Sequence, residues 1–292
     1  MFFLFCSIIL TSWLTLSFKV VERFRISLFQ AIVFNYITCV ITGSFVNGAF
    51  PISIATFSES WFKWSLLMGA MFVSIFNLMG VTTQKMGVAI SSVANKLSLV
   101  IPFIVSIYLY NENTTGLKIA GVVVALLAVV LTCLPSAGVE PSGKPFHILN
   151  LALPVVLFIS SGLLDTLIKY VETTEINEAN QNAYLITSFG VAAVIGSVAL
   201  LFLLLTGKMK FDKRAIVAGI VIGVPNYFSI WCLLKVLKDY EGNSSVIFPI
   251  NNMGIVLFST LVAFIFFKEK LSKTNWLGIS LALAAIALIA FG

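Results

Sequence analysis

Ten apolar runs, each long enough to cross a bilayer as a helix, constrain this chain more than anything else in it. A hydrocarbon core requires roughly 17–25 residues per helix. Runs of that kind lie near residues 2–18, 27–48, 62–83, 88–110, 116–134, 148–170, 182–206, 214–236, 243–267 and 274–291. The spans of a β-barrel would alternate polar and apolar side chains over about ten residues, whereas IAGVVVALLAVVLTCL (119–134) is apolar on every side. With 59% hydrophobic and 10% charged residues and a mean hydropathy of +1.05, the composition excludes a soluble domain. The sequence therefore predicts an all-α integral membrane protein with ten transmembrane helices. The charges near the first run (Lys19, Arg23, Arg25) follow it instead of preceding it, so it reads as a retained helix and not as a cleaved signal.

Several functional classes lack raw material. Cys6, Cys39, Cys133 and Cys232 stand singly inside apolar runs and read as small buried hydrophobes, not as disulfide partners or metal ligands. The single histidine, His147, lies in the central polar segment, which leaves no histidine-based metal site or Ser-His triad. No GxxxxGK[ST] loop is present, and no cofactor is expected. The net charge of +6 comes from lysines and arginines at helix ends, where topology and anionic head groups account for them. Membrane lipids and a small-molecule substrate are the expected partners, and nucleic acid is not. Trp13, Trp61, Trp64, Trp231 and Trp276 read as interfacial anchors.

The two halves of the chain repeat each other. LYNENTTGLKIAG (109–121) and FFKEKLSKTNWLG (266–278) both place a glutamate nine positions before a glycine, pairing Glu112 with Glu269 and Gly121 with Gly278 at an offset of 157. FKVVE (18–22) matches IKYVE (168–172) at offset 150, and ITGS (41–44) matches VIGS (194–197) at offset 153. Rising offsets fit two copies of one unit separated by small insertions. Each copy holds five helices, an odd number, so the second enters the membrane inverted, with the binding site expected between the copies near the midplane. The expected organisation is one repeat over 1–134, a Pro/Gly/Ser-rich linker over 135–147 and a second repeat over 148–292.

The paired motif, glutamate at the end of a fourth helix and glycine early in a fifth, resembles the EamA-type repeat of the drug/metabolite transporter superfamily. Both copies match it, although Asn113 replaces a basic residue beside the glutamate of the first. The resemblance implies two inverted five-helix repeats around a central cavity. It also implies secondary transport of small polar metabolites, an amino acid or other anionic solute among them, and no enzymatic activity. The glutamates themselves read as structural, holding the turn between the last two helices of each copy through free backbone groups or local ion pairs.

Ionisable groups deep in a bilayer cost about 2.5–3.5 kcal/mol on insertion scales, which makes them functional candidates. Lys96 lies nine residues into the run 88–110. At offset 157 its neighbours Ala94 and Asn95 align with Asn251 and Asn252, which predicts a polar group at one depth in both copies. Lys96 would hold an anionic group, with amides of Asn95, Asn251 and Asn252 donating and accepting around it. The alternative is that Asp165 neutralises Lys96 and the asparagines bind neighbouring helices. Asn77, Asn226 and Tyr227 also fall inside apolar runs and join the candidate substrate-binding set. Asp165 reads either as a proton-coupling carboxylate or as the local ion partner of Lys169. Pro102, Pro225 and Pro249 predict kinks that free backbone carbonyls.

Lys and Arg number twelve beside the loops that follow odd-numbered helices and five on the opposite side. That bias puts the first side in the cytoplasm, whereas the resemblance implies that both termini are cytoplasmic. The expected location is a bacterial inner membrane. A second function class, a lipid-linked substrate flippase or a scaffold in a membrane assembly, predicts no solute uptake by the purified protein and a lipid-facing Lys96.

Overall fold

The structure, a computed structural model, describes residues 2–110, 115–134, 149–177, 180–239 and 244–291. Glu112, His147 and the expected linker 135–147 lie outside the described residues. Eleven helices follow one another: α1 (Phe2–Arg23), α2 (Leu28–Asn47), α3 (Phe62–Met86), α4 (Val88–Leu97), α5 (Val100–Tyr110), α6 (Gly116–Cys133), α7 (Leu149–Thr174), α8 (Gln181–Leu205), α9 (Arg214–Asp239), α10 (Ser244–Phe266) and α11 (Lys273–Phe291). A 3-10 turn, Ile54–Ser58, joins α2 to α3. Among the described residues ten stretches are long and apolar enough to span a bilayer, α4 and the start of α5 together making one of them. No strand occurs among the described residues. The protein is an all-helical integral membrane protein.

The fourth span is broken where the sequence predicts one helix. Pro102 has no N–H to give the Ser98 carbonyl. The Ile101 N–H donates to that carbonyl instead, at 2.9 Å, a tighter turn that ends α4 at Leu97 and restarts the chain as α5 at Val100. Pro225 deprives the Val221 carbonyl in the same way, yet α9 runs through it, and the Trp13 indole N–H donates to that freed carbonyl at 3.0 Å. Trp13 is therefore no interfacial anchor. α1 extends to Arg23, beyond the predicted end at residue 18, and this places Trp13 mid-helix.

Exchanging each span with the one five places later leaves the main helix pairings unchanged. The pair α1–α9 becomes α7–α3, α2–α9 becomes α8–α3, and α1–α10 becomes the packing of α7 on α4 and α5. The pairs α2–α8, α4–α10 and α6–α11 map onto themselves. Single residues obey the same exchange. A Cβ on Gly121 would come within 2.8 Å of Ile289, and one on Gly278 would overlap Thr132; both glycines and both neighbours are 157 residues apart. Thr115 caps α6 by accepting from the Lys118 N–H, and Ser272 caps α11 by accepting from the Asn275 N–H, again at offset 157.

The exchange fails for several weaker pairings, among them α2–α3 against α8–α9 and α4–α11 against α6–α10. α1 packs on both α3 and α4, whereas the exchanged pairs α7–α9 and α7–α10 make at most marginal contact among the described residues. α4 lies at the centre of the bundle, with Val88, Ala89, Val93, Ala94 and Leu97 fully buried. The outward faces of other helices carry exposed Phe45, Val194, Val198 and Leu205, as a lipid-facing surface requires.

Replacing Trp13 by Phe leaves the Val221 carbonyl without its donor and is expected to cost about 1–3 kcal/mol of stability. In a Pro225→Ala background the restored N–H serves that carbonyl, so the cost of Trp13→Phe shrinks. A double-mutant cycle on unfolding in detergent reads that coupling directly.

Candidate functional site

α4 begins at a glycine held in an unusual conformation. Gly87 has φ +100°, and a Cβ there would press on the Glu269 carboxylate at 3.0 Å. With the chain so turned, the Val88 and Ala89 N–H groups donate to the two oxygens of Glu269 at 2.7 and 3.4 Å. The first turn of a helix has free N–H groups and a partial positive charge, which a carboxylate satisfies. This corrects the sequence-based reading of Glu269: its own turn is held by Ser272 and Asn275, and the carboxylate reaches into the other half of the chain. Asn275 also donates to the Thr132 and Leu134 carbonyls at the end of α6. Around Glu269, Lys19 pairs with Glu22 at 2.7 Å and donates to the Gln84 carbonyl.

α4, held at that end, carries Asn95 and Lys96 to the break in the fourth span. Asn95 Nδ2 donates to Ser161 Oγ on α7 at 2.9 Å. The Ser98 hydroxyl lies 2.5 Å from the Asn95 carbonyl and 3.2 Å from Asp165 Oδ2, a donor to both positions. The charges of Lys96 and Asp165 interact across the same gap. Asp165 continues the i, i+4 row of Leu157 and Ser161, both buried, and points away from the lipid-facing Val155, Val156, Ile159 and Leu163. It is nevertheless exposed, and Lys96 is half-buried. The carboxylate is thus accessible on the face of α7 that carries Leu157 and Ser161.

On α10, Asn251 is buried at 3% exposure, and its Oδ1 has no hydrogen-bond partner among the described residues. Asn252 is half-buried. α10 crosses α4 where Ser259 Oγ donates to Ser92 Oγ at 2.9 Å. In this antiparallel pair Lys96 is level with Ile255, and Asn252 is about one turn, ~5 Å, further along. The asparagine pair is thus near the depth of Lys96, a turn beyond it.

The remaining candidates divide. Asn77 donates to the Val73 carbonyl of its own helix at 2.7 Å, on α3, which packs against α4 and α7. Asn226 belongs elsewhere: it donates to Asn35 Oδ1 at 3.1 Å in a knot that includes Cys39, whose thiol reaches the Gly223 carbonyl at 3.4 Å. Gly219 and Gly223 face the α2 backbone there, where a Cβ would collide with it. Tyr227 is buried against Gly43 on the same helix pair. Both residues therefore lie in the contact that fastens α2 to α9. Ser98 and Ser161 escaped the sequence reading. The signal for Ser161 was its spacing of four from Asp165 on an apolar helix.

Residues 152–291 match the EamA-like transporter family. A protein of Haemophilus influenzae (strain ATCC 51907 / DSM 11121 / KW20 / Rd), described only as uncharacterized, is 30% identical over 278 residues, covering 92% of this chain and 90% of that protein. A solved crystal structure superposes with a TM-score of 0.61 at 14% identity, over 98% of this chain and 94% of that one, a likeness of fold alone.

Burial pushes the Glu269 carboxyl above its ordinary 4.5, and the Val88 and Ala89 N–H bonds offset part of that rise. An acid with a raised folded-state pKa stabilises the fold below its unfolded value and loses that contribution as pH climbs through the folded value. Wild type is therefore expected to lose stability relative to Glu269→Gln as pH rises from about 4.5 toward neutrality. Thermal unfolding of both proteins across that range measures the difference.

Proposed function

We propose that this chain, which belongs to the EamA-like transporter family, is a secondary transporter that carries a small polar solute with an anionic group by alternating access. Membership makes it a membrane transporter by family. The observation that carries the finer reading is the exposed Asp165 on the inward face of α7, beside the half-buried Lys96. A cation and an anion kept accessible within spanning helices are costly unless they are used. Lys96 is the anchor for the anionic group. Asn95 orients it through Ser161, and Asp165 meets a cationic or hydroxyl group of the solute or takes up a coupling proton. The broken fourth span supports this, because interrupted membrane helices expose backbone groups where transported solutes bind. Asn77, Asn251 and Asn252 complete the polar wall of the proposed cavity.

The exchange symmetry supports two inverted repeats, over 1–134 and 148–292, as the moving parts. The packing of α1 on α3 and α4 closes the surface that carries Lys19 and Glu269. The weak contacts of α7 with α9 and α10 leave the opposite surface as the way in. A bacterial inner membrane is the proposed location, in keeping with the Haemophilus relative.

The test begins with thermal shifts across a metabolite collection, since a solute that binds only the folded state raises its melting temperature. Uptake of the solute so found is then followed in proteoliposomes. Lys96→Ala removes a charge-assisted hydrogen bond of about 1.5–3 kcal/mol, which predicts a fall in apparent affinity of about 10- to 100-fold with unfolding in the absence of solute little changed. Unaltered affinity in Lys96→Ala would remove Lys96 from the site.

A further inference from the structure

A groove of about 380 Å³ runs along the flank of the bundle between α1 and α9, floored by Ser17, Val21, Val217, Ala218 and Ile222. It starts at Trp13, in the middle of α1, and at Val221, about two turns into α9, and ends at Phe24, Ile26 and Arg214. The eleven residues from Trp13 to Phe24 rise about 16 Å, about half of a hydrocarbon core of ~30 Å. The groove thus has the length of one leaflet. Its walls belong to spanning segments, so the medium that reaches it is lipid.

The surface end of the groove is strongly basic, and its acids are already taken. Asp212 accepts from Arg214 Nε and from a terminal guanidinium nitrogen at 2.9 and 3.0 Å, and Glu22 is paired with Lys19. Arg214 also donates to the Phe24 and Arg25 carbonyls, which ties the start of α9 to the end of α1 and forms the rim. Arg25, whose carbonyl takes one of the Arg214 bonds, and Lys213, next to Arg214 in the chain, remain exposed beside that rim, whereas Arg23 lines a separate hollow with Phe266, Phe267 and Lys268. Exposed cations beside an apolar slot one leaflet long match the phosphate and acyl chain of one lipid.

We propose that this groove is a binding site for an anionic phospholipid, with one acyl chain between α1 and α9 and its phosphate against Arg25 and Lys213. A net negative head group is preferred over a zwitterionic one, whose ammonium the same two cations repel. Nothing in this site overlaps the Lys96 group, so a failure here leaves the proposed transport site untouched.

The test is native mass spectrometry of the full chain, supplied with equal phosphatidylglycerol and phosphatidylethanolamine in detergent. Wild type is expected to retain one phosphatidylglycerol several-fold more often than phosphatidylethanolamine. Ala218→Trp and Val217→Trp, which fill the slot from its floor and from its exposed edge, are expected to lose that adduct while unfolding at the wild-type temperature. The double substitution Arg25→Gln with Lys213→Gln is expected to keep a lipid but to lose the preference. Equal retention of the two lipids by wild type would overturn the proposal, as would an adduct that survives both tryptophan substitutions. If one tryptophan variant unfolds early, the other decides.

Discussion

Inside a bilayer there is no water to serve a stray carbonyl or N–H, so every helix end and every proline break near the core must find its partner within the protein. The structure meets this demand with side chains from the other half of the chain. Glu269 serves the first N–H groups of α4, Asn275 serves the last carbonyls of α6, and Trp13 serves the carbonyl that Pro225 frees in α9. Each bond crosses between the halves. The contacts that keep the backbone satisfied are therefore the contacts that hold the two halves together.

The fourth span is where that rule is relaxed. At the Pro102 break the Ile101 N–H and the Ser98 hydroxyl bond nearby carbonyls of the same span. Lys96, Asn95 and Asp165 gather at that break, one helix turn from the crossing of α4 and α10. Polar chemistry in the membrane is concentrated where the helix already pays for an interruption. The rest of the bundle keeps its polar groups in closed knots, of which Asn35, Cys39 and Asn226 form one.

Much of this was legible in the sequence. Apolar run length gave ten spans with ends displaced by only a few residues at most boundaries, because hydrocarbon thickness dictates helix length. The offset of 157 held down to single contacts, Gly121 on Ile289 and Gly278 on Thr132, since glycine marks close approach of two backbones. Lys96 stood out because charge in an apolar helix is costly. Long-range partners were not legible. Nothing near Glu269 announces that it reaches Val88, and Trp13 looked interfacial until α1 proved longer. Asn226 resembled Asn95 in its surroundings, and only the α2–α9 packing separates a helix fastener from a candidate site residue.

The account rests on Asp165 facing water within the bundle and not lipid. Asp165→Cys and Leu163→Cys differ by two positions on α7 and place a thiol on its inward and outward faces. The measurement is the rate of reaction of each with a membrane-impermeant thiol reagent in proteoliposomes, above the background of the four native cysteines. The account predicts rapid modification at 165 and none at 163, because a thiol needs water to ionise and react. Equal protection at both positions, or reaction at 163 alone, would contradict it.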